Sequence, residues 1–352
     1  MSSRARYYLI APRGTRVPPR TKIWYDAWMQ FRTLGRTGLK ASEIGFGTWG
    51  MGGGSEWRGG DDAESRKALR RAFELGINFY DTALAYGAGH SETLLGEFAR
   101  EVGRDEILVA SKIPPKNREW PARCGVKIYE TFPRDYIRTS TEATLKNLRT
   151  DYIDVHQLHV WQDHWLEEPG WMEELCQLKK EGKIRFIGVS VNDHDPESAI
   201  LVAQHKLADL VQVIYNIFDP TAENALFPLC KEYNIGVIAR CPFDEGGLTG
   251  KVRPGVAFPN GDWRNDYFSG DRPKQVDEHV QRLLPLVGEC AKSLPEMALR
   301  FCLSTPVVST VIPGMRKVTH VESNVTASDG TLLPAALLAE LKTHAWPRNF
   351  YL

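Results

Sequence analysis

Four residues, far apart in the chain, have side chains that make one chemical set. They are Asp81 and Tyr86 in "FYDTALAYGAGH", Lys112 in "VASKIPP" and His159 in "DVHQLH". A phenol with a pKa near about 10 is a weak acid at neutral pH. A lysine cation beside it stabilises the phenolate and eases proton donation. A carboxylate beside the lysine keeps it charged and placed, and a histidine can orient a carbonyl oxygen. The set suits proton delivery to a carbonyl oxygen while hydride reaches the carbon. No side chain supplies hydride, so the chemistry requires a cofactor. Taken singly, each residue has a plainer reading: a turn acid, a loop aromatic, a solvated charge, a satisfied polar ring.

These residues can meet only if the ends of several strands converge. Eight short apolar or β-branched runs recur: "EIGFGT", "INFYDT", "ILVASK", "IDVHQLH", "IRFIGVS", "LVQVIY", "IGVIAR" and "VVSTVIP". They are continuous rather than alternating, as expected of parallel strands buried on both faces. Helical spacing fills the gaps. Leu69, Ala72 and Phe73 follow Asp61 as N-cap and precede Gly76 as stop; Leu226, Leu229, Cys230 and Tyr233 end at Asn234. Eight strands alternating with helices in 352 residues predict an α/β fold, a (β/α)8 TIM barrel with long βα loops. A doubly wound sheet would want G-x-G-x-x-G after its first strand, and "GTWGMGGG" does not match it. In the barrel, Asp81, Lys112 and His159 end the second, third and fourth strands, at the mouth where active sites form.

Composition narrows the function. With 44 basic and 44 acidic residues the formal charge is zero, which argues against a general nucleic-acid or anionic-membrane binder. No apolar run approaches the roughly 18 residues of a membrane span. Six cysteines without a C-x-x-C pair point to a reducing, cytoplasmic setting. Residues 1–28 hold six basic residues and one acid. They read as a leader, disordered or a non-native start, rather than a targeting segment, ahead of a single domain over residues 29–352.

From Phe31 to Asp329 the sequence resembles the aldo-keto reductase superfamily. "LGRTGLKASEIGFGTWGMGG" is similar to that family's N-terminal β-hairpin and first strand, and "INFYDTALAYGAGHSETLLGE" to its catalytic signature. "VASKI", "DYIDVHQLH", "GKIRFIGVS", "VQVIYN" and "VSTVIPGMRKVTHVESN" follow in the family's order. The resemblance implies NADPH-dependent carbonyl reduction, with NADH the weaker alternative. Tyr86 would be the acid, Lys112 and Asp81 its tuning pair, and His159 the orienting residue. It also implies a cofactor across the barrel mouth. Thr48, Trp49 and Asp81 would line the nicotinamide ribose, and Ser190 and Gln212 would hold the carboxamide. Asn192 stands one residue beyond the family's usual place for it. "CPFDEGGLTGK", with Cys241, Pro242, Phe243 and Lys251, would follow the pyrophosphate. Gly314, Met315 and Arg316, then His320 and Asn324 on the next helix, would hold the adenosine end, Arg316 and Lys317 favouring a 2′-phosphate. Arg240 departs from the pattern: it occupies a position where many members stack an aromatic ring on nicotinamide.

Trp57, Trp120, Trp161, Trp165 and Trp263 fall in the loops expected to wall the pocket. Aromatic walls suit a sugar or an aromatic carbonyl compound; loop packing is the plain alternative. Two rival functions remain. One is a non-enzymatic NADPH-binding auxiliary subunit. The other is a metal-dependent barrel hydrolase using His156, His159 and His164, against which His156 and His159 differ in strand parity. No metal site is expected, and the chain is read as a monomer or homo-oligomer.

Overall fold

The continuous apolar runs form strands buried on both faces. In this computed structural model, which describes residues 29–54, 57–58 and 60–351, eight parallel strands make one sheet. They are β3 (Phe46–Gly47), β4 (Phe79–Asp81), β5 (Leu108–Ile113), β6 (Ile153–Leu158), β7 (Ile184–Ser190), β8 (Leu210–Ile214), β9 (Gly236–Arg240) and β10 (Val308–Val311). Each falls on one of the eight runs read from the sequence, β5 reaching one residue past its run, and neighbours in sequence are neighbours in the sheet. The ring closes between its ends. Gly45 N–H donates to Val311 O at 2.8 Å and Gly47 N–H to Pro313 O at 3.0 Å, with bridges Ile44–Val311 and Gly47–Gly314. This is the (β/α)8 barrel. The predicted leader lies outside the described residues.

Helices form where the spacing predicts them. Asp61 caps the helix Asp62–Glu74, its carboxylate accepting from Ala63 N and Glu64 N. The helix Leu226–Glu232 ends before Asn234, whose φ of 52° fits a left-handed stop.

Strand parity divides the barrel interior into two layers. Phe79, Ala110, Val155, Leu210 and Ile238 form an apolar lower layer. Two residues further along the same strands stand Asp81, Lys112, Gln157, Gln212 and Arg240, a polar upper layer. A hairpin of β1 (Phe31–Thr33) and β2 (Lys40–Ser42) closes the lower end. Its Leu34 is fully buried among the lower-layer residues, a burial that contributes about 1.5–3 kcal/mol. Arg36 fixes the turn, its N–H on Asn234 O at 2.6 Å and its guanidinium on Asp209, Lys206 O and Ala208 O. Gly35 is required there: at φ 50° an added Cβ would lie 2.2 Å from Gly236 N.

At the upper end the chain's last segment returns to the mouth. After the helix Ala335–Thr343, Trp346 N–H donates to Phe218 O at 2.8 Å. Arg348 then pairs with buried Asp244, and Tyr351 Oη donates to Glu245 Oε1 at 2.5 Å. This C-terminal strap pins the loop that follows β9.

Candidate active site

The upper layer gathers the predicted tetrad. Asp81 ends β4, Lys112 lies near the end of β5, and His159 follows β6, its N–H on Ile113 O at 3.0 Å. Lys112 Nζ donates to Asp81 Oδ1 at 2.5 Å, Thr82 O at 2.9 Å and Tyr86 Oη at 3.3 Å. Both members of the ion pair are buried, Lys112 at 0% and Asp81 at 2% exposure. Burial pushes the Lys112 pKa below its usual value, against the pull of Asp81. Tyr86 rides a tight turn after β4. Its neighbour Gly87 has φ 61°, and a Cβ there would sit 2.0 Å from Gly52 O, so only glycine lets the loop press down at this point.

Two amides complete the Asp81 shell. Gln212 Nε2 donates to Asp81 Oδ2 at 2.8 Å, and Gln157 Nε2 approaches the same oxygen at 3.4 Å. Sequence reading missed Gln157; the signal available was its parity on β6 with His159. His159 stands edge-on to Tyr86, ring centroids 5.8 Å apart, and edge-on to Trp120 at the same separation. Burial, then Lys112 and Arg240, hold its pKa well below the ordinary histidine value. The ring is therefore neutral at physiological pH and can donate from one nitrogen. His156, by contrast, faces a helix, bonded to Thr141 Oγ1 at 3.1 Å. That confirms the opposite parity of the two histidines.

A pocket of about 270 Å³ extends from Asp81 and Tyr86 to Arg316 and His320. Thr48, Trp49, Gln212, Arg240, Cys241, Pro242, Phe243, Gly314 and Met315 line it, all expected from sequence. Trp57, expected in a pocket wall, Glu245 and Gly246, within the segment expected to follow the pyrophosphate, and Arg264, a candidate with no assigned role, line it too. Ser190 instead borders a hollow of about 60 Å³ beside it, with Tyr86, His159 and Trp120. Lys251 is exposed outside the lining, and Asn324 is buried one helical turn beyond His320. Asn192 is tied away from the pocket, its amide donating to Trp161 O at 2.7 Å.

Arg240 does not replace an aromatic stack with a free cation. Its guanidinium donates to Asp193 Oδ1 at 2.7 Å and Val191 O at 3.0 Å. Although burial works against the charge, Asp193 keeps its pKa above the usual value. The tryptophans divide by depth. Trp161 and Trp165 are fully buried core residues, so loop packing accounts for them. Trp49, Trp57 and Trp263 form a cluster at the pocket rim, with centroids 4.9–5.8 Å apart.

The residues present fit an extended anionic cofactor. Arg316 Nη1 and Asn324 Nδ2 are buried donors without a partner among the described residues. Burial and the nearby Arg264 push the Arg316 pKa down, and an anion would relieve that cost. Among the described residues no group of three or more His, Cys, Asp or Glu could hold a metal.

The chain is similar to known proteins over most of its length. The aldo/keto reductase family model matches residues 43–345. The chain is 29% identical over 313 residues to the NADH-specific methylglyoxal reductase of Escherichia coli (strain K12), covering 84% of this chain and 92% of that one. It is 28% identical over 317 residues to a probable voltage-gated potassium channel subunit beta of Arabidopsis thaliana, covering 86% and 92%. The holo form of aldo-keto reductase AKR11C1 from Bacillus halodurans superposes with a TM-score of 0.70 at 27% identity, covering 90% and 96%.

Proposed function

Because the chain belongs to the aldo/keto reductase family and is an oxidoreductase, we propose that it reduces an aldehyde or ketone with NADPH, Tyr86 giving the proton. The observation that carries this reading is the contact chain Asp81–Lys112–Tyr86 at the open end of the barrel. When bound, the cofactor supplies the hydride. Lys112 stays charged because Asp81 lies beside it, and its charge favours the phenolate left when Tyr86 gives up its proton. Neutral His159 donates a hydrogen bond to the carbonyl oxygen, polarising it without competing as an acid. Gln157 and Gln212 hold the second oxygen of Asp81, so the carboxylate stays aimed at Lys112. The Trp49, Trp57 and Trp263 rings keep bulk water from the transfer. Run in reverse, the same groups oxidise an alcohol.

Arg316, Asn324 and the start of the helix Val318–Val325 would hold the adenosine end, with Lys317 and Lys251 adding positive charge. Cations so placed support NADPH over NADH, since a 2′-phosphate needs them. Gly314 and Gly246 leave open space where a side chain would stand, which suits close backbone approach to phosphate.

The test follows NADPH absorbance across aldoses, keto sugars, methylglyoxal and aromatic aldehydes, with Tyr86→Phe in parallel. The variant should lose about 10²–10⁴-fold in kcat and keep its NADPH affinity. Ordinary turnover by Tyr86→Phe removes the phenol from the acid role. Cofactor binding with no turnover of any carbonyl moves the reading to a cofactor-binding subunit.

A further inference from the structure

Beside the catalytic pocket runs a second and larger cavity, a groove of about 1180 Å³. Trp57 borders both this groove and the cofactor pocket, and Trp120 borders both the groove and the hollow over Tyr86 and His159. Its floor includes Leu84, Ala85 and Gly87 of the Tyr86 turn. A molecule whose carbonyl reaches Tyr86 can therefore lay the rest of its length in the groove.

Among the described residues the groove's charges are not balanced. Its acids are engaged: Asp61 accepts from two backbone N–H groups, and Asp62 lies 3.0 Å from His90 Nε2. Glu119, between Arg118 and Trp120 in sequence, pairs with Arg123 at 2.8 Å. Its cations are Arg58, Lys116 and Arg118. None of the three has an ion-pair partner among the described residues; the nearest aromatic face to Lys116 Nζ is Tyr136, 6.0 Å from the ring centroid. Arg118 also sits at φ 57°, a conformation that disfavours a residue with Cβ and marks a constrained position. The carbonyl end is thus neutral and aromatic, while the described residues of the groove leading to it present three positive charges without an ion-pair partner among them.

We infer that the preferred substrate is a carbonyl compound carrying an anionic group, a carboxylate or phosphate, remote from the reacting carbon. Trp57 and Trp120 flank its body, and Arg58, Lys116 and Arg118 attract its charge. This inference rests on the reductase reading of the same site. The reaction is balanced as before: hydride from NADPH to the carbonyl carbon, a proton from Tyr86 to the oxygen, and the anion unchanged.

Two aldehydes of matched size test it: 4-carboxybenzaldehyde, anionic, and 4-formylbenzamide, neutral, whose amide makes its carbonyl the more electrophilic, so that intrinsic reactivity runs against the expected preference. Each is assayed with NADPH at low and high ionic strength. The wild type should favour the carboxylate by about tenfold in kcat/KM, or roughly 1.4 kcal/mol, mostly through KM, and salt should erode the preference. In the double variant Lys116→Gln, Arg118→Asn the ratio should fall towards one; asparagine tolerates the left-handed backbone that Arg118 adopts. A wild-type ratio near one, or a ratio that the double variant leaves unchanged, overturns the anion groove and leaves carbonyl reduction standing. If neither aldehyde turns over, reduction is the reading that fails. Quenching of tryptophan fluorescence by 4-carboxybenzaldehyde then decides the groove: saturable quenching weakened in the double variant keeps it, and identical quenching in both proteins removes it.

Discussion

Asp81→Asn changes one atom and should cost far more than its size implies. Lys112 Nζ lies 2.5 Å from Asp81 Oδ1, with both side chains out of water. At an effective dielectric of ~20 the attraction is about 7 kcal/mol. Loss of one partner leaves a buried cation uncompensated, for which the net cost after relaxation is about 3–5 kcal/mol. Asparagine adds a second penalty. It offers one acceptor oxygen where Lys112, Gln212 and Gln157 present donors to two, so one of its own N–H groups must face another donor. The folded state then disfavours charged Lys112, and on the proposed mechanism Tyr86 loses the cation that eases its proton donation. Guanidinium unfolding followed by circular dichroism should show the 3–5 kcal/mol loss, roughly 2 °C of Tm per kcal/mol for a chain this long. Turnover should fall by about 10² or more. The double variant Asp81→Asn, Lys112→Met removes the stranded charge, so it should regain most of the stability and none of the turnover. A single variant within about 1 kcal/mol of wild type would refute the reasoning, as would a double variant no more stable than the single one.

Four other outcomes are expected. Because burial holds the Lys112 pKa below its ordinary 10.5, kcat should fall as pH rises through a value below 10.5. His159 is already neutral near pH 6.5, so an inflection there that vanishes in His159→Gln would contradict its buried setting. Arg316→Ala should raise KM for NADPH by about 10–100-fold, the worth of a charge-assisted hydrogen bond, while barely moving KM for NADH; equal effects on both would reduce Arg316 to a shaping role. Arg348→Ala leaves buried Asp244 unpaired and frees a loop in which Cys241, Asp244 and Glu245 all have positive φ. It should raise the NADPH KM severalfold and lower the Tm; an unchanged KM would show that the C-terminal strap does not shape the pocket.

The legible parts of this chain share a physical cause. Parallel strands covered by helices must be apolar on both faces, so β3–β10 appear as unbroken runs, and their order in the sheet is their order in sequence. Strand ends then place Asp81, Lys112 and His159 without further information. What escaped notice depends on contacts that sequence separation hides. Gln157 is one more polar residue on a buried strand until its distance to Asp81 is known. Arg240 looks like a free cation until Asp193, 47 residues away, is seen beside it. Trp161 and Trp165 have the same composition signal as Trp57, and only depth separates core from rim. The strap is hidden in the same way, since Arg348 and Tyr351 find Asp244 and Glu245 more than a hundred residues back.

The closure of the ring has a consequence for how the molecule comes into being. The pocket's wall begins at Gly47 and is not complete until His320, and β3 finds its second neighbour only when β10 arrives. A chain emerging from the ribosome therefore carries Asp81, Tyr86 and Lys112 well before His320, and owns no complete pocket until His320 is free. Until then β3 keeps an open edge, the kind of surface that pairs wrongly with other chains. A cofactor that needs the whole lining would therefore bind only the finished barrel, and its binding would report that the ring has closed.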